Sequence, residues 1–423
     1  MHDIRVFRDN VDALRDAMRR RGRPDLEPLI SRARAVDQER RAAIQAVEER
    51  KAARNSASQE VARRKKAGED AADLIAQTRQ LGQEIARLEQ ELAASEGEAS
   101  GLMMEFPNLL LPDVPAGGEE CNVVIRSWGT PRDEAGLAPH WEIGERLGML
   151  DLSRGAKIAG SGFPLLRNDG ARLTRALMTF MLELHAREHG YEELWVPLLV
   201  NRASATATGH LPKFEDDMYA IRGEELYLIP TAEVPVTSLL RDEVLDGSRL
   251  PLRYTAYTPC FRREAGAHGK DTRGLLRLHQ FDKVELVWYA TPEQSPECHE
   301  ILTRHAETVL QRLGLPYRVV LLAGGDTGFS SAKTYDLEVW SPGVGKWLEA
   351  SSCSTFTDFQ ARRANVRFRP APGEKPRFVH TLNGSGVAFA RTIAALLEHY
   401  QRPDGRITVP EVLRPHLGTD TLG

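Results

Sequence analysis

Arg262, Arg263 and Glu264 close the run Thr258-Pro259-Cys260-Phe261-Arg262-Arg263-Glu264, and after a loop comes the apolar stretch Phe281-Asp282-Lys283-Val284-Glu285-Leu286-Val287. Two strands joined by a cation-bearing loop form a hairpin able to grip phosphate, because arginine meets phosphate through paired parallel hydrogen bonds that lysine cannot copy. The loop Ala265-Gly266-Ala267-His268-Gly269-Lys270-Asp271-Thr272-Arg273-Gly274 holds three glycines, which permit the positive backbone angles a flexible tip needs. A second constellation, Asn383-Gly384-Ser385-Gly386-Val387-Ala388-Phe389-Ala390-Arg391, opens the apolar helical stretch Thr392-Ile393-Ala394-Ala395-Leu396-Leu397-Glu398. Its glycines would let a ligand approach closely, with Arg391 on the first turns of the helix. Gly-x-Gly before a helix is by itself more often a turn than a site. The order Arg-x-Glu, cationic loop, Phe-bearing strand, Gly-Ser-Gly and downstream Arg, over about 130 residues, is much harder to reach by chance.

Those residues need a scaffold. From Glu119 to the end, residues 119–423, amphipathic helices (Leu173 to His189, His299 to Leu313) alternate with strands (Leu226 to Ile229, Tyr335 to Trp340). Strands joined by tight loops predict a largely antiparallel sheet with helices against it, an α+β architecture. Proline and glycine in residues 111–118 mark a linker, and residues 1–110 form a separate domain. Between Pro28 and Ser100 there is no proline and no aromatic residue. Leu74, Leu81, Ile85, Leu88 and Leu92 make an a/d seam, repeated more weakly by Leu29, Ala33, Val36, Ala43 and Val47. With Ala67-Gly68-Glu69-Asp70 as the turn, an antiparallel two-helix arm over about 28–98 follows, and it would project roughly 50 Å at about 1.5 Å per residue.

Charge divides sharply along this arm. Residues 28–66 hold eleven Arg and Lys against five acids, net +6, and residues 67–100 hold two arginines against eight acids, net −6. For most of these charges, attraction between the two helices is explanation enough. Arg63-Arg64-Lys65-Lys66 differ, since four cations packed before a turn repel one another and gain when an anion is supplied, for which a nucleic-acid backbone is the natural candidate. Over the whole chain 56 basic side chains face 60 acidic ones, net −4, so any contact with RNA must be local. Cys121, Cys260, Cys298 and Cys353 stand apart, with no CxxC pair and no His cluster at ligand spacing, which predicts neither disulfides nor zinc. Without an apolar leader, or about 18 consecutive apolar residues, the expectation is a cytoplasmic chain with no membrane segment.

The chain resembles class II aminoacyl-tRNA synthetases, and within them the bacterial seryl-tRNA synthetases. The hairpin is similar to the family's second signature motif and Gly384 to Arg391 to its third; the first is matched by the helix Arg172 to His189, Gly190, and Tyr191 to Pro197. Serine-specific stretches are similar too: Thr208-Gly209-His210-Leu211-Pro212-Lys213-Phe214, Pro230-Thr231-Ala232-Glu233, Lys333 to Trp340 and Glu349-Ala350-Ser351-Ser352-Cys353-Ser354. Ala350 departs from the branched aliphatic residue usual in the family.

The resemblance implies activation of L-serine by ATP to seryl-adenylate and pyrophosphate, then transfer to tRNA(Ser), and to tRNA(Sec) where a cell has one. By family position Arg262 and Arg391 are catalytic. Arg262 grips the α-phosphate and the serine carboxylate, Arg277 and Arg391 hold the outer phosphates, and Phe281 stacks on adenine, although the sequence alone leaves it equally an ordinary core aromatic. Glu264 accepts from the adenine amino group, and Arg263, Ala350 and Ser351 complete the ATP-binding set. Glu349 and Ser352 would hold Mg²⁺ with ATP, hard oxygen donors beside phosphate; without the family, Glu and Ser three apart read as a solvated turn. Thr231, Ala232, Glu233, Arg262, Glu285 and Ser385 bind serine: Glu285 and Thr231 the amine, Glu233 and Ser385 the hydroxyl. A carboxylate in Val284-Glu285-Leu286-Val287 would be costly if buried unpaired, and a ligand ammonium would neutralise it. Pairing the hydroxyl rejects alanine and a tight wall rejects threonine, which gives specificity without editing; the chain has no insertion large enough for an editing domain, and the ligands for the zinc of a divergent form of the family are lacking, so neither is expected. Arg50, Lys51, Arg54, Arg63, Arg64, Lys65 and Lys66 would meet tRNA. The helix Arg172 to His189, with its apolar face Leu173, Leu177, Phe180, Met181 and Leu184, and the strand running to Pro197 would form the two-fold interface of a homodimer. Two other classes compete: a paralogue loading a carrier protein, expected to lose the long arm, and a structural coiled coil, which leaves the motifs from Thr231 to Arg391 unexplained.

Overall fold

A computed structural model describes residues 1–265 and 273–423. The chain divides into two compact units, residues 1–19 with 23–107 and residues 20–22 with 108–423. The tip of the cationic loop, Gly266 to Thr272, lies outside the described residues.

In the first unit, helices α1 (Glu27–Ala67) and α2 (Ala72–Glu105) form the antiparallel arm. Gly68 turns the chain at φ +75°, its N–H reaching back to the carbonyls of Arg64 and Lys65, and the Asp70 carboxylate accepts from the Ala72 N–H. Both are helix-end devices that glycine and aspartate supply at little cost. Ile85, Val47 and Ala57 are buried along the seam, while Leu74, Leu81, Leu88 and Leu92 are half-buried, as two lone helices must leave them. Ion pairs lace the helices: Arg32 to Glu98, Arg50 to Glu84 at 2.9 Å and Lys51 to Glu89 at 3.0 Å. Exposed pairs contribute about 0.2–1 kcal/mol each, so their service is to register and orientation as much as to stability. The tip quartet needs a correction. Arg63 and Arg64 both bond Glu60, and Arg64 also reaches Asp73 at 3.2 Å, so half of the cluster already has its anion; of the four, Lys65 and Lys66 make no ion pair among the described residues.

The second unit is built on an eight-stranded sheet: β1 (Val123–Trp128), β2 (Glu192–Leu194), β3 (Leu252–Phe261), β4 (Gln280–Ala290), β5 (Tyr317–Leu321), β6 (Lys333–Ser341), β7 (Lys346–Thr357) and β8 (His380–Ala388). They lie in the order β1-β5-β6-β7-β8-β4-β3-β2, antiparallel throughout except that β2 runs parallel to β3. Helices α3 (Asp169–Glu183), α4 (Arg202–Thr208), α5 (Glu233–Thr237), α6 (Ser295–Arg312), α7 (Phe359–Ala364) and α8 (Phe389–His399) are among the helices of this α+β unit. Residues 111–118, expected as a linker, pack within it: the Leu111 N–H donates to the Ala332 carbonyl at 3.0 Å and Val114 is buried. No helix among the described residues is long and apolar enough to cross a membrane.

Helix α3 ends in a π-helical turn over Leu184–Glu188 before Gly190. Its face Leu173, Leu177, Phe180, Met181 and Leu184, expected at an interface, is instead spent inside the chain's own core, every one of these side chains being buried. The exposed apolar groups of this region come just after it: Trp195, 86% exposed, Leu198 and Leu199.

Candidate functional site

The central strands carry the site by their two-residue alternation. On β4, Phe281, Lys283 and Glu285 share one face, and across the ladder Glu285 pairs with Ser385 of β8. They wall a cavity of about 400 Å³ with Arg262, Arg277, Glu349, Ser352, Asn383 and Arg391. The two glycines flanking Ser385 serve the other face, contrary to expectation. A Cβ on Gly384 would meet Leu302 of α6 at 2.4 Å, and one on Gly386 would meet the His185 ring at 2.7 Å. They let helices press against the back of β8, and no ligand is needed to explain them.

Glu349 and Ser352 lie three apart in a strand, which should set them on opposite faces. A bulge brings them together. Leu337 of β6 pairs with Ser351 and Glu338 with Glu349, so Ala350 is the extra, unpaired residue, and the solvated turn suggested by the residues alone is a strand. Asp336 pairs with Ser352 across the same ladder, and its Oδ1 is buried with no hydrogen-bond partner. An orphaned carboxylate oxygen beside a hydroxyl and a second carboxylate is a donor set that fits Mg²⁺. No group of three His, Cys, Asp or Glu among the described residues closes on a metal by itself, so phosphate and water would complete the shell.

Three arginines are held in place before any ligand arrives. Arg262 donates through Nε to the Pro230 carbonyl at 3.2 Å, its guanidinium 5.1 Å from the Phe281 ring centroid. Arg277 pairs with Glu264, whose backbone sits at φ +51°. Arg391 donates to the Glu349 carbonyl at 2.7 Å and pairs with its carboxylate at 3.1 Å. Gly274 at φ +68° packs against His140 and Trp141 with no room for a Cβ, and the next N–H, of Leu275, donates to the His140 ring; that ring bonds the buried Glu398. The segment leading to Arg277 is thereby tied to α8.

Glu285 is not waiting for a ligand to neutralise it. Lys283, buried two residues earlier on the same face, pairs with its Oε2, and the Thr231 hydroxyl donates to the same oxygen at 2.6 Å. Lys283 also donates to Thr231 at 2.9 Å. Lys-x-Glu in a strand carries this signal in the sequence, since the two side chains share one face. Glu233, on the first turn of α5, makes no ion pair among the described residues. Gln360 donates to it at 2.6 Å, and burial, then the nearby Glu285 charge, raises its carboxyl to about 7. Because the native chain holds that proton more tightly than the unfolded one, stability falls as pH rises from about 4.5 toward about 7. Substrate-free Glu233→Gln should therefore gain on the wild type by about 2–3 kcal/mol between pH 5 and pH 8 in urea unfolding. An unchanged difference across that range would show the carboxylate is already solvated.

The remaining expected residues divide. Thr231 and Ala232 are buried behind the cavity wall, and Ser351 turns its hydroxyl to the Ser385 carbonyl at 2.6 Å. Arg263 is exposed and off the wall, its backbone N–H donating to the Asp217 carbonyl, because successive residues of an extended chain face opposite ways.

Residues 1–110 match the family model for the seryl-tRNA synthetase N-terminal domain, and residues 213–400 match that for the class II core domain of synthetases for G, H, P, S and T. The Serine--tRNA ligase of Gemmatimonas aurantiaca is 63% identical over the full length of both chains. Among solved structures, seryl-tRNA synthetase from Pyrococcus horikoshii, crystallised with ATP, is similar at a TM-score of 0.96 and 38% identity, covering 100% of this chain and 99% of its own. The cytoplasmic serine-tRNA ligase of Naegleria fowleri follows at 0.90 and 30%, covering 100% and 98%. Matched at both ends by these two domains and along its whole length by such ligases, the chain belongs to the class II seryl-tRNA synthetases, which join serine to tRNA at the expense of ATP.

Proposed function

We propose that the cavity performs serine activation by fixed charge, with no protein nucleophile. A serine carboxylate oxygen attacks the α-phosphorus, a new P–O bond forms, the bond to the bridging oxygen breaks, and pyrophosphate leaves. Negative charge on phosphorus is what needs stabilising, and preorganised donors do this without reorganisation. Arg262 would hold the α-phosphate and the serine carboxylate, and Arg277 and Arg391 the outer phosphates, each exchanging a carboxylate partner for phosphate. Adenine would lie on Phe281. Mg²⁺ at Glu349 and Ser352 would neutralise phosphate charge. For serine itself, Glu285 has its Oε2 committed to Thr231 and Lys283 and would offer Oε1 to the ammonium, while Glu233 and Ser385 would take the hydroxyl. The observation that carries this reading is the convergence of Arg262, Arg277 and Arg391 on one cavity whose wall bears the Lys283–Glu285 pair, backed by Thr231.

ATP–pyrophosphate exchange across all twenty amino acids tests it. Serine alone should give robust exchange, since one extra methyl meets the wall and a missing hydroxyl strands buried polar groups. Comparable exchange with threonine or alanine would remove the assignment.

The arm's cations would meet tRNA(Ser), and tRNA(Sec) where present, through backbone phosphates. A cytoplasmic location suits these substrates and the four free cysteines. The functional form would be a homodimer closed through the strand after α3, where Trp195, Leu198 and Leu199 are exposed, a patch that a symmetric partner would cover. Light scattering should return twice 47.2 kDa, and Trp195→Asp should shift it toward the monomer. A wild type that scatters as a monomer at micromolar concentration would contradict this.

A further inference from the structure

Two carboxylates line the activation cavity where serine would sit, and they are held by different kinds of partner. Glu285 has a cation, Lys283, and a hydroxyl, that of Thr231. Glu233 has a neutral amide. Gln360, fully buried on α7, donates through Nε2 to Glu233 Oε1 at 2.6 Å, and no step of activation itself requires it there.

The amide is fixed in one orientation. Its nitrogen end also faces the Thr208 carbonyl at 3.3 Å, an atom that can only accept, and at the other end the Thr381 hydroxyl of β8 donates to Gln360 Oε1 at 2.8 Å. Both N–H groups and the oxygen are therefore in use, and Thr208, Thr381 and Glu233 are all buried. Because α7 packs on α4 and on the strands β7 and β8, the amide is tied to the central sheet.

A chemical consequence follows for Glu233. An ammonium or guanidinium bonded to Oε1 would neutralise the carboxylate, whereas an amide satisfies that oxygen and leaves the charge in place. Oε2 has no hydrogen-bond partner among the described residues and is the oxygen left for a ligand. The groups facing Glu233 from the neighbouring elements pull both ways. Burial and the Glu285 charge raise its carboxyl, while the Gln360 hydrogen bond, then the Lys283 and Arg262 charges, lower it, and the balance falls at about 7. Of the influences that favour the ionised form, the Gln360 amide is the strongest.

We infer that Gln360 is a positioning residue for serine selection, holding the Glu233 carboxylate so that Oε2 accepts the serine hydroxyl. This deepens the serine reading proposed above and rests on it.

Gln360→Met keeps the length of the side chain and removes the amide. In ATP–pyrophosphate exchange by the full-length protein, KM for serine should rise about tenfold at pH 7 but only about twofold at pH 8.5, because a carboxyl without its amide donor ionises about one pH unit later. KM for ATP, and kcat at saturating serine, should stay within about twofold of wild type, the pattern of lost serine binding in an intact fold. Thr381→Val leaves the amide present but free to turn, and should raise KM for serine about threefold at pH 7. The inference is overturned if KM for serine and for ATP rise together, if a raised serine KM does not recover with pH, or if Gln360→Met leaves it unchanged. Should Gln360→Met fail to fold, Thr381→Val decides alone, and an unchanged serine KM there overturns it. Absent serine exchange in the wild type would instead remove the activity reading.

Discussion

Arg262→Ala should slow seryl-adenylate formation by about 10²–10³ while leaving the fold intact, the usual cost of removing one preorganised transition-state donor. Arg262 is anchored on one side by the Pro230 carbonyl and on another by the Phe281 ring, with no carboxylate partner at salt-bridge distance among the described residues. Its charge is therefore available to a substrate without an exchange of partners, unlike that of Arg277 beside Glu264 or Arg391 beside Glu349. Arg277→Ala and Arg391→Ala should cost less, because each releases a carboxylate as well as removing a cation. Circular dichroism and exchange on the same preparations check this order. Near-normal exchange in Arg262→Ala would make it a surface charge.

The fold was readable because long-range order followed local pattern. The arm announced itself through the leucine seam and the Gly68 turn, and the hairpin through two apolar strands around a glycine-bearing loop. The site was readable in outline, since charged residues in apolar strands have few places to go. What stayed hidden depended on which strand lies next to which. Gly384 and Gly386 looked like a ligand loop because a strand and a turn share the same glycines, and only the positions of Leu302 and His185 show that helix packing demands them. Ala350 shows in the sequence only as a departure from the family's branched aliphatic residue, yet the bulge there turns Glu349 and Ser352 to one face. The apolar stripe of α3 spoke equally for an interface and a core, and periodicity cannot say which surface meets it. The role of Lys283 is legible in the sequence, since a lysine two residues before a buried glutamate on a strand is its nearest possible counter-ion.

Removing residues 45–91 and closing α1 onto α2 with a short glycine turn should leave serine-dependent exchange intact and collapse charging of tRNA. The cut keeps Ile30, Ala33 and Val36, which are buried near the base of the arm, and removes no residue of the activation cavity. The lost part carries Arg50, Lys51, Arg54 and the tip quartet, and phosphate contacts weaken with salt by roughly 0.7–0.9 log units per contact per tenfold change. These cations will not contribute equally. Arg50, Lys51, Arg63 and Arg64 already pair with Glu84, Glu89 and Glu60, so RNA must displace a carboxylate from each and gains only the difference. Arg54, Lys65 and Lys66 make no ion pair among the described residues and give up nothing. Replacing those three with alanine should therefore flatten the salt slope by about two to three units, while replacing Arg50 and Lys51 should move it little. A shortened arm that still charges tRNA at the full rate, or a triple variant with an unchanged salt slope, would make the arm a structural coiled coil whose charges serve only each other.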